Sequence, residues 1–143
     1  MPPPDSSNID SAIISALLAD TTLMAMMPDG VYYDEANPGA TRFVIVSLVE
    51  EFDQPAFNKR VMEEGVYLVK AVALSTSGGD VKGAAARIDA ILEDSRKLSA
   101  AGFFISDVHR IERVRTTEVD DQNEDLRWQH RGGRYRVQAA LLA

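Results

Sequence analysis

The chain contains no cysteine, which removes disulfides, thiolate metal sites, cysteine nucleophiles and redox switching together. It has two histidines, His109 and His130, and neither stands in the H-x-x-x-H spacing that puts two imidazoles on one helix face. Its longest strongly apolar runs, such as Phe43 to Val49, are far shorter than the roughly 20 residues that cross a bilayer. The opening Met1-Pro2-Pro3-Pro4-Asp5-Ser6-Ser7 has neither the basic start nor the apolar stretch of a secretory signal. Residues 1–7 read as a disordered lead-in. No G-x-S-x-G elbow is present, which argues against a hydrolase. Ser75 to Asp80 joins a strand to a helix as a phosphate loop would, but it lacks the Lys-Ser/Thr pair. Asp80 would also set a negative charge where phosphate should bind. The expectation is a non-enzymatic protein with no catalytic residue, no metal and no cofactor.

What is present is the composition of one folded domain. Of 143 residues, 45% are hydrophobic and 26% charged, and a chain of this size buries about two-thirds of its surface on folding. Residues 8–143 are expected to form a single domain. Ser7-Asn8-Ile9-Asp10 has the spacing of a capping box, and Ile9, Ile13, Ala16 and Leu17 recur at helical spacing. Asp20 can cap a short second helix that Pro28-Asp29-Gly30 ends. Val31-Tyr32-Tyr33 reads as a short strand. Arg42 to about Glu51 and Val66 to Leu74 are apolar on both faces, as central strands are, and predict an antiparallel hairpin. The connection from Glu50 to Glu64 reads as a long charged loop.

A helix follows from Asp80 to about Ser95, with Val81, Ala84, Ala85, Ile88, Ile91 and Leu92 on its apolar stripe. Phe103 to about Arg115 is then a strand, Thr116 to Asp125 a polar loop, and Leu126 to Leu142 a last strand. A bulge at Gly132-Gly133 would bring Trp128 and Tyr135 onto one core face. The resulting class is α+β: a mixed, largely antiparallel sheet with two main helices packed on it.

Charge is distributed unevenly. The net charge is −7; residues 1–71 hold 11 acids and 4 bases, whereas residues 72–143 hold 11 of each. Seven arginines fall between Arg110 and Arg136. The outward set Arg110, Arg113, Arg115, Arg134 and Arg136 is expected to meet acids of a neighbouring copy, drawn from Glu50, Glu51 and Asp53 or from Asp120 and Asp121. Basic strands also raise the question of nucleic acid, but the acidic whole and the predicted inward Trp128 and Tyr135 argue against direct binding.

Taken in order, several segments resemble the tail-completion or tail-terminator family of long-tailed bacteriophages. They are Ala16-Leu17-Leu18-Ala19-Asp20, Gly30-Val31-Tyr32, the Val66 to Leu74 strand with its Ser-Gly-Gly and alanine-rich helix, and Trp128-Gln129-His130-Arg131-Gly132-Gly133-Arg134-Tyr135-Arg136-Val137. The resemblance runs from residue 11 onward. It implies a virion structural protein that caps the tail tube and joins tail to head, as a six-membered ring. The partners it implies are further copies of the chain, the tail tube protein and the head-tail connector proteins. DNA would pass through the ring without specific binding, and no membrane would be involved. The implied location is the head-tail interface of the virion, and the host cytoplasm during assembly. A neck or adaptor protein at the same junction is the alternative, with a small-ligand or enzymatic module as a third.

Overall fold

The computed structural model describes residues 4–56, 59–75 and 79–142. Met1 to Pro3 of the expected lead-in, and most of the Ser75 to Gly79 loop, lie outside the described residues. Among the described residues three α-helices, α1 (Ser7–Leu18), α2 (Thr21–Met26) and α3 (Gly79–Leu92), and a short 3-10 turn at Ser95–Lys97 accompany five strands: β1 (Val31–Tyr33), β2 (Arg42–Ala56), β3 (Lys59–Ser75), β4 (Phe103–Val119) and β5 (Arg127–Leu141). The strands form one sheet in the order β1-β2-β3-β5-β4. Only β1 and β2 run parallel; the other three pairings are antiparallel. The expected α+β class is observed, with a third, short helix beside the two main ones.

All three helices lie on one face of the sheet. Ile13 and Leu17 of α1, Leu23 of α2, and Ile88, Ile91 and Leu92 of α3 pack with Val44, Val46, Val69, Tyr135, Val137 and Ala139 in the main core. Asp20 caps α2 as its spacing predicts, accepting from the Leu23 N–H at 2.8 Å, and it also holds Arg87 of α3 at 2.5 Å. One carboxylate thus starts one helix and ties it to another. At α1 the helix begins one residue earlier than the capping box suggested. Ser6 occupies the cap position without a side-chain cap bond, and its hydroxyl donates to Glu63 on β3 at 2.7 Å. The opposite face of the sheet carries a small second cluster, Phe43, Ile45 and Val72, roofed by Tyr32, Ala36, Ala40 and Trp128.

Three expectations about the sheet are corrected. The segment from Glu50 to Glu64 is not a loop: β2 and β3 stay paired from Arg42↔Ala73 out to Ala56↔Lys59. Its acids looked loop-like because that half of β2 is exposed, so no apolar alternation marks it. Likewise β4 runs on to Val119, and the connection to β5 shrinks to residues 120–126. Gly132-Gly133 is not a bulge: β5 stays in unbroken register with β3 from Met62↔Ala140 to Ser75↔Arg127. The irregularities are on β4 instead, between Ile105 and Asp107 and between Arg110 and Glu112. With no bulge on β5, Trp128 and Tyr135 occupy opposite faces.

The glycine pair serves close approach. A Cβ on Gly132 would lie 2.1 Å from the Val69 carbonyl oxygen and 2.5 Å from the Lys70 Cα; one on Gly133 would lie 2.9 Å from the Glu112 carbonyl oxygen. Only a residue without a side chain lets β5 lie this tightly between β3 and β4.

Candidate assembly edges

Residues directly opposite one another in the sheet share a face, so the register assigns each arginine. Arg110 pairs with Tyr135, Arg113 with Gly133 and Arg115 with Arg131. Tyr135 is buried beneath α3, where its hydroxyl donates to Asp89, so this whole set belongs to the helix-bearing face. Arg134 and Arg136 alternate with Tyr135 and point to the opposite face. The five arginines expected on one outward surface are therefore divided between two.

They also differ in their company. Arg110 is tied to Asp89 of α3. Arg136 lies 2.7 Å from Glu64, and Arg134 lies 3.5 Å from Glu112. Arg113 and Arg115 are exposed. With Lys82 and Arg131 they border an open groove of about 350 Å³ whose one acid, Asp89, already serves Arg110 and Tyr135. Among the described residues, Arg113, Arg115, Arg131 and Lys82 have no acidic partner within ion-pair reach. Four cations around one groove repel one another and leave the site short of negative charge.

The acids show the converse imbalance. Glu51 pairs across the sheet with Gly65, and Asp53 with Glu63, while Gly65 and Glu63 in turn pair with the buried Val137 and Ala139. Glu51 and Asp53 thus lie on the helix-bearing face. Their carboxylates and that of Glu63 come within 4.8 Å of one another. Glu63 is 1% exposed, held by Ser6 and by Arg60 at 3.1 Å. Desolvation, reinforced by Glu51 and Asp53, pushes its carboxyl above the ordinary range despite those two partners. Among the described residues this trio is the one grouping with the hard oxygen donors a divalent cation would need. Glu50 is exposed on the opposite face. Asp120 is engaged in its own turn, accepting from the Trp128 indole and the Asn123 N–H, both at 3.1 Å. Asp121 is exposed beside it.

These two charge sets lie at the two borders of the sheet. β1 covers β2 only at Val44 to Val46, so the acidic half of β2 is a free edge; β4 is the edge strand on the other side. Sequence reasoning found the two charge groups but not their placement, because strand order is a long-range property.

The histidines do not meet. His109 lies opposite Arg136 and His130 opposite Thr116. His109 Nδ1 is 2.7 Å from Asp107 on the surface. Burial, reinforced by Lys70, lowers the pKa of His130, with Glu118 at 3.8 Å acting against it. Among the described residues neither histidine is hydrogen-bonded to a serine, threonine or lysine nucleophile, and no helix is long and apolar enough to cross a membrane.

The fold has solved counterparts. A chain of the "Virion of native gene transfer agent (GTA) particle" superposes with a TM-score of 0.66 at 20% sequence identity, over 92% of this chain and 94% of that one. A second solved chain, whose name describes no function, gives 0.55 at 14% identity over 97% and 96%. No family model and no curated protein matches the sequence.

Proposed function

We propose that the chain is a structural protein of a phage-like particle that caps the tail tube and joins it to the head as a six-membered ring of identical subunits. The observation that carries this reading is the opposite charge that the two sheet borders present on the helix-bearing face. A ring needs two unlike, mutually complementary surfaces on each subunit, whereas a two-fold dimer needs one self-complementary patch. On the helix-bearing face, the acids of the β2 edge and the arginines of the β4 edge meet that requirement on a single sheet. The likeness to a chain of a gene transfer agent virion over nearly the full length of both supports the same setting, and so do the segments that resemble tail terminators.

Chemistry is not what the arrangement favours. The grooves are open, and the one between α3 and β4 is ringed by cations, with no acid–base or nucleophile pair among the described residues that line it. In a ring the subunit charge of −7 is multiplied, and acids facing the bore would keep a passing polyanion from sticking.

The test is electron microscopy of the purified protein, alone and mixed with tail tubes. Pore-bearing rings seated at tube ends are expected. A protein that stays monomeric at high concentration and leaves tube ends bare would overturn the proposal.

A further inference from the structure

From the sheet borders we infer that neighbouring copies join edge to edge, with the free half of β2 in one subunit pairing antiparallel with the outer half of β4 in the next. The inference rests on the ring reading above and names its contact.

Four observations converge on this pairing. The first is direction. β2 runs antiparallel to β3, β3 to β5 and β5 to β4, so β2 and β4 themselves point opposite ways. A second copy set beside the first in the same orientation brings its β4 antiparallel to the first copy's β2. The sheet continues, and the helix layers stay on one side.

The second is availability. β1 blocks β2 up to Val46, and an irregularity follows between Leu48 and Glu50, so the regular free stretch of β2 begins at Glu50. On β4 the irregularities at Ser106 and Ile111 spoil the first half and leave residues 112–119 regular. Bulges and charges are how edge strands avoid indiscriminate pairing; here each edge keeps one regular window.

The third is charge and period. Glu51 and Asp53 are two residues apart on one strand, and Arg113 and Arg115 are two apart on the other. Each pair therefore presents charges about 7 Å apart on a single face, and for both pairs that face is the helix-bearing one. Setting Glu51 opposite Arg115 places Asp53 opposite Arg113 and Phe52 opposite Val114 on the other face. Phe52 is 53% exposed in the single subunit, and the contact gives it an apolar partner.

The fourth is need. Glu51 and Asp53 crowd the buried Glu63, while Arg113 and Arg115 crowd Lys82 and Arg131, so each border lacks the charge that the other supplies. On the helix-bearing face like edges repel, acids against acids on β2 and arginines against arginines on β4, which favours head-to-tail growth; Glu112 and Glu118 of β4 lie on the other face beside Arg134 and His130. The two windows sit at different heights on the sheet, because Arg113 and Arg115 lie level with Val46 and Val44 through β5 and β3. Strands joined this way must tilt against the ring axis, as they do in closed barrels.

Two variants, Glu51→Lys with Asp53→Lys and Arg113→Glu with Arg115→Glu, test the contact through native mass spectrometry and negative-stain imaging. Circular dichroism confirms that each is folded. Either variant alone should lose ring assembly. In an equimolar mixture every border again meets its opposite, so alternating rings with an even number of subunits should return. Since the chain has no cysteine, Phe52→Cys with Val114→Cys in one chain should give an inter-subunit disulfide ladder on oxidation, and neither single variant should give one beyond a dimer. Rings formed by both reversed variants alone, or a double-cysteine ring that never cross-links, would overturn the pairing while leaving the ring reading intact. Arginine reversal that abolishes binding of a labelled DNA duplex yet spares the ring would likewise overturn it and assign the groove to phosphate. Absence of rings from the unaltered protein at any salt would overturn the ring reading itself.

Discussion

Trp128 and Tyr135 share β5 but not a face: the indole packs beside Phe43 on the side of the sheet without helices, and the phenol lies under α3 bonded to Asp89. The two residues mark the two chemical environments that the sheet separates. Tyr135 is 1% exposed, and burial together with the Asp89 hydrogen bond holds its hydroxyl protonated far above the ordinary phenol range.

Tyr135→Phe removes that hydrogen bond while keeping the ring. Stability should fall by about 1 kcal/mol. Asp89→Ala should cost more, about 2 kcal/mol, since it leaves the buried hydroxyl without its acceptor and frees Arg110. Chemical denaturation of the isolated subunit measures both, and equal losses would show that Asp89 does not serve the two partners.

Gly132→Ala should be more damaging than Gly39→Ala. Gly39 has φ of +87° but nothing within 4 Å of an added Cβ, whereas at Gly132 the new atom meets β3 backbone at 2.1 Å. Backbone strain alone at Gly39 should cost about 1–2 kcal/mol, and overpacking at Gly132 about 3 kcal/mol or more. Thermal melts of the two variants give the order directly.

Glu63→Gln should raise the melting temperature of the isolated subunit at pH 7. The folded-state pKa of Glu63 is raised, so the fold takes up its proton more readily than the open chain does. Its contribution is then most favourable below the unfolded value of about 4.5 and is lost as pH rises through the folded value. The stabilising effect of glutamine should accordingly shrink as pH is lowered toward 4. A melt difference that is flat with pH would contradict this.

Asp20 has the opposite sign. The Arg87 hydrogen bond leads in lowering its pKa, so its contribution is present above about pH 4 and is lost as pH falls through the folded value. Asp20→Ala removes the α2 cap and the α3 tie together and should cost about 2 kcal/mol, within the range for strong caps. Asp20→Asn, which keeps the cap and drops the charge, should recover part of that loss at neutral pH.

The helices and the first half of the hairpin were legible because their burial is one-sided and periodic. Ile9, Ile13 and Leu17 repeat with the helix, Asp20 sits where a cap must, and Phe43 to Val46 are apolar on both faces because both faces are covered. Legibility failed where strands extend past the core. Glu50 to Ala56 and Thr116 to Val119 are paired in the sheet but largely exposed, and a strand exposed on both sides has no apolar pattern to read. The glycine pair misled for a related reason: a glycine in a strand marks either a bulge or a close neighbour, and only the neighbouring strands decide. The charges of the two sheet borders were visible from the start, but their separation across the sheet depends on a strand order that no local signal encodes.

Since the Ala56↔Lys59 end of the β2–β3 pair lies at one end of the sheet and the Val119↔Arg127 end of the β4–β5 pair at the other, a closed ring of these subunits would have two dissimilar rims. One is built from the stretch around Ala56 and Lys59. The other is built from residues 120–126, where Asp120, Asp121, Glu124 and Asp125 gather four carboxylates. Such an object has a top and a bottom. If copies close into the proposed ring, its two rims would offer different chemistry to whatever each one meets, and the ring would have a direction.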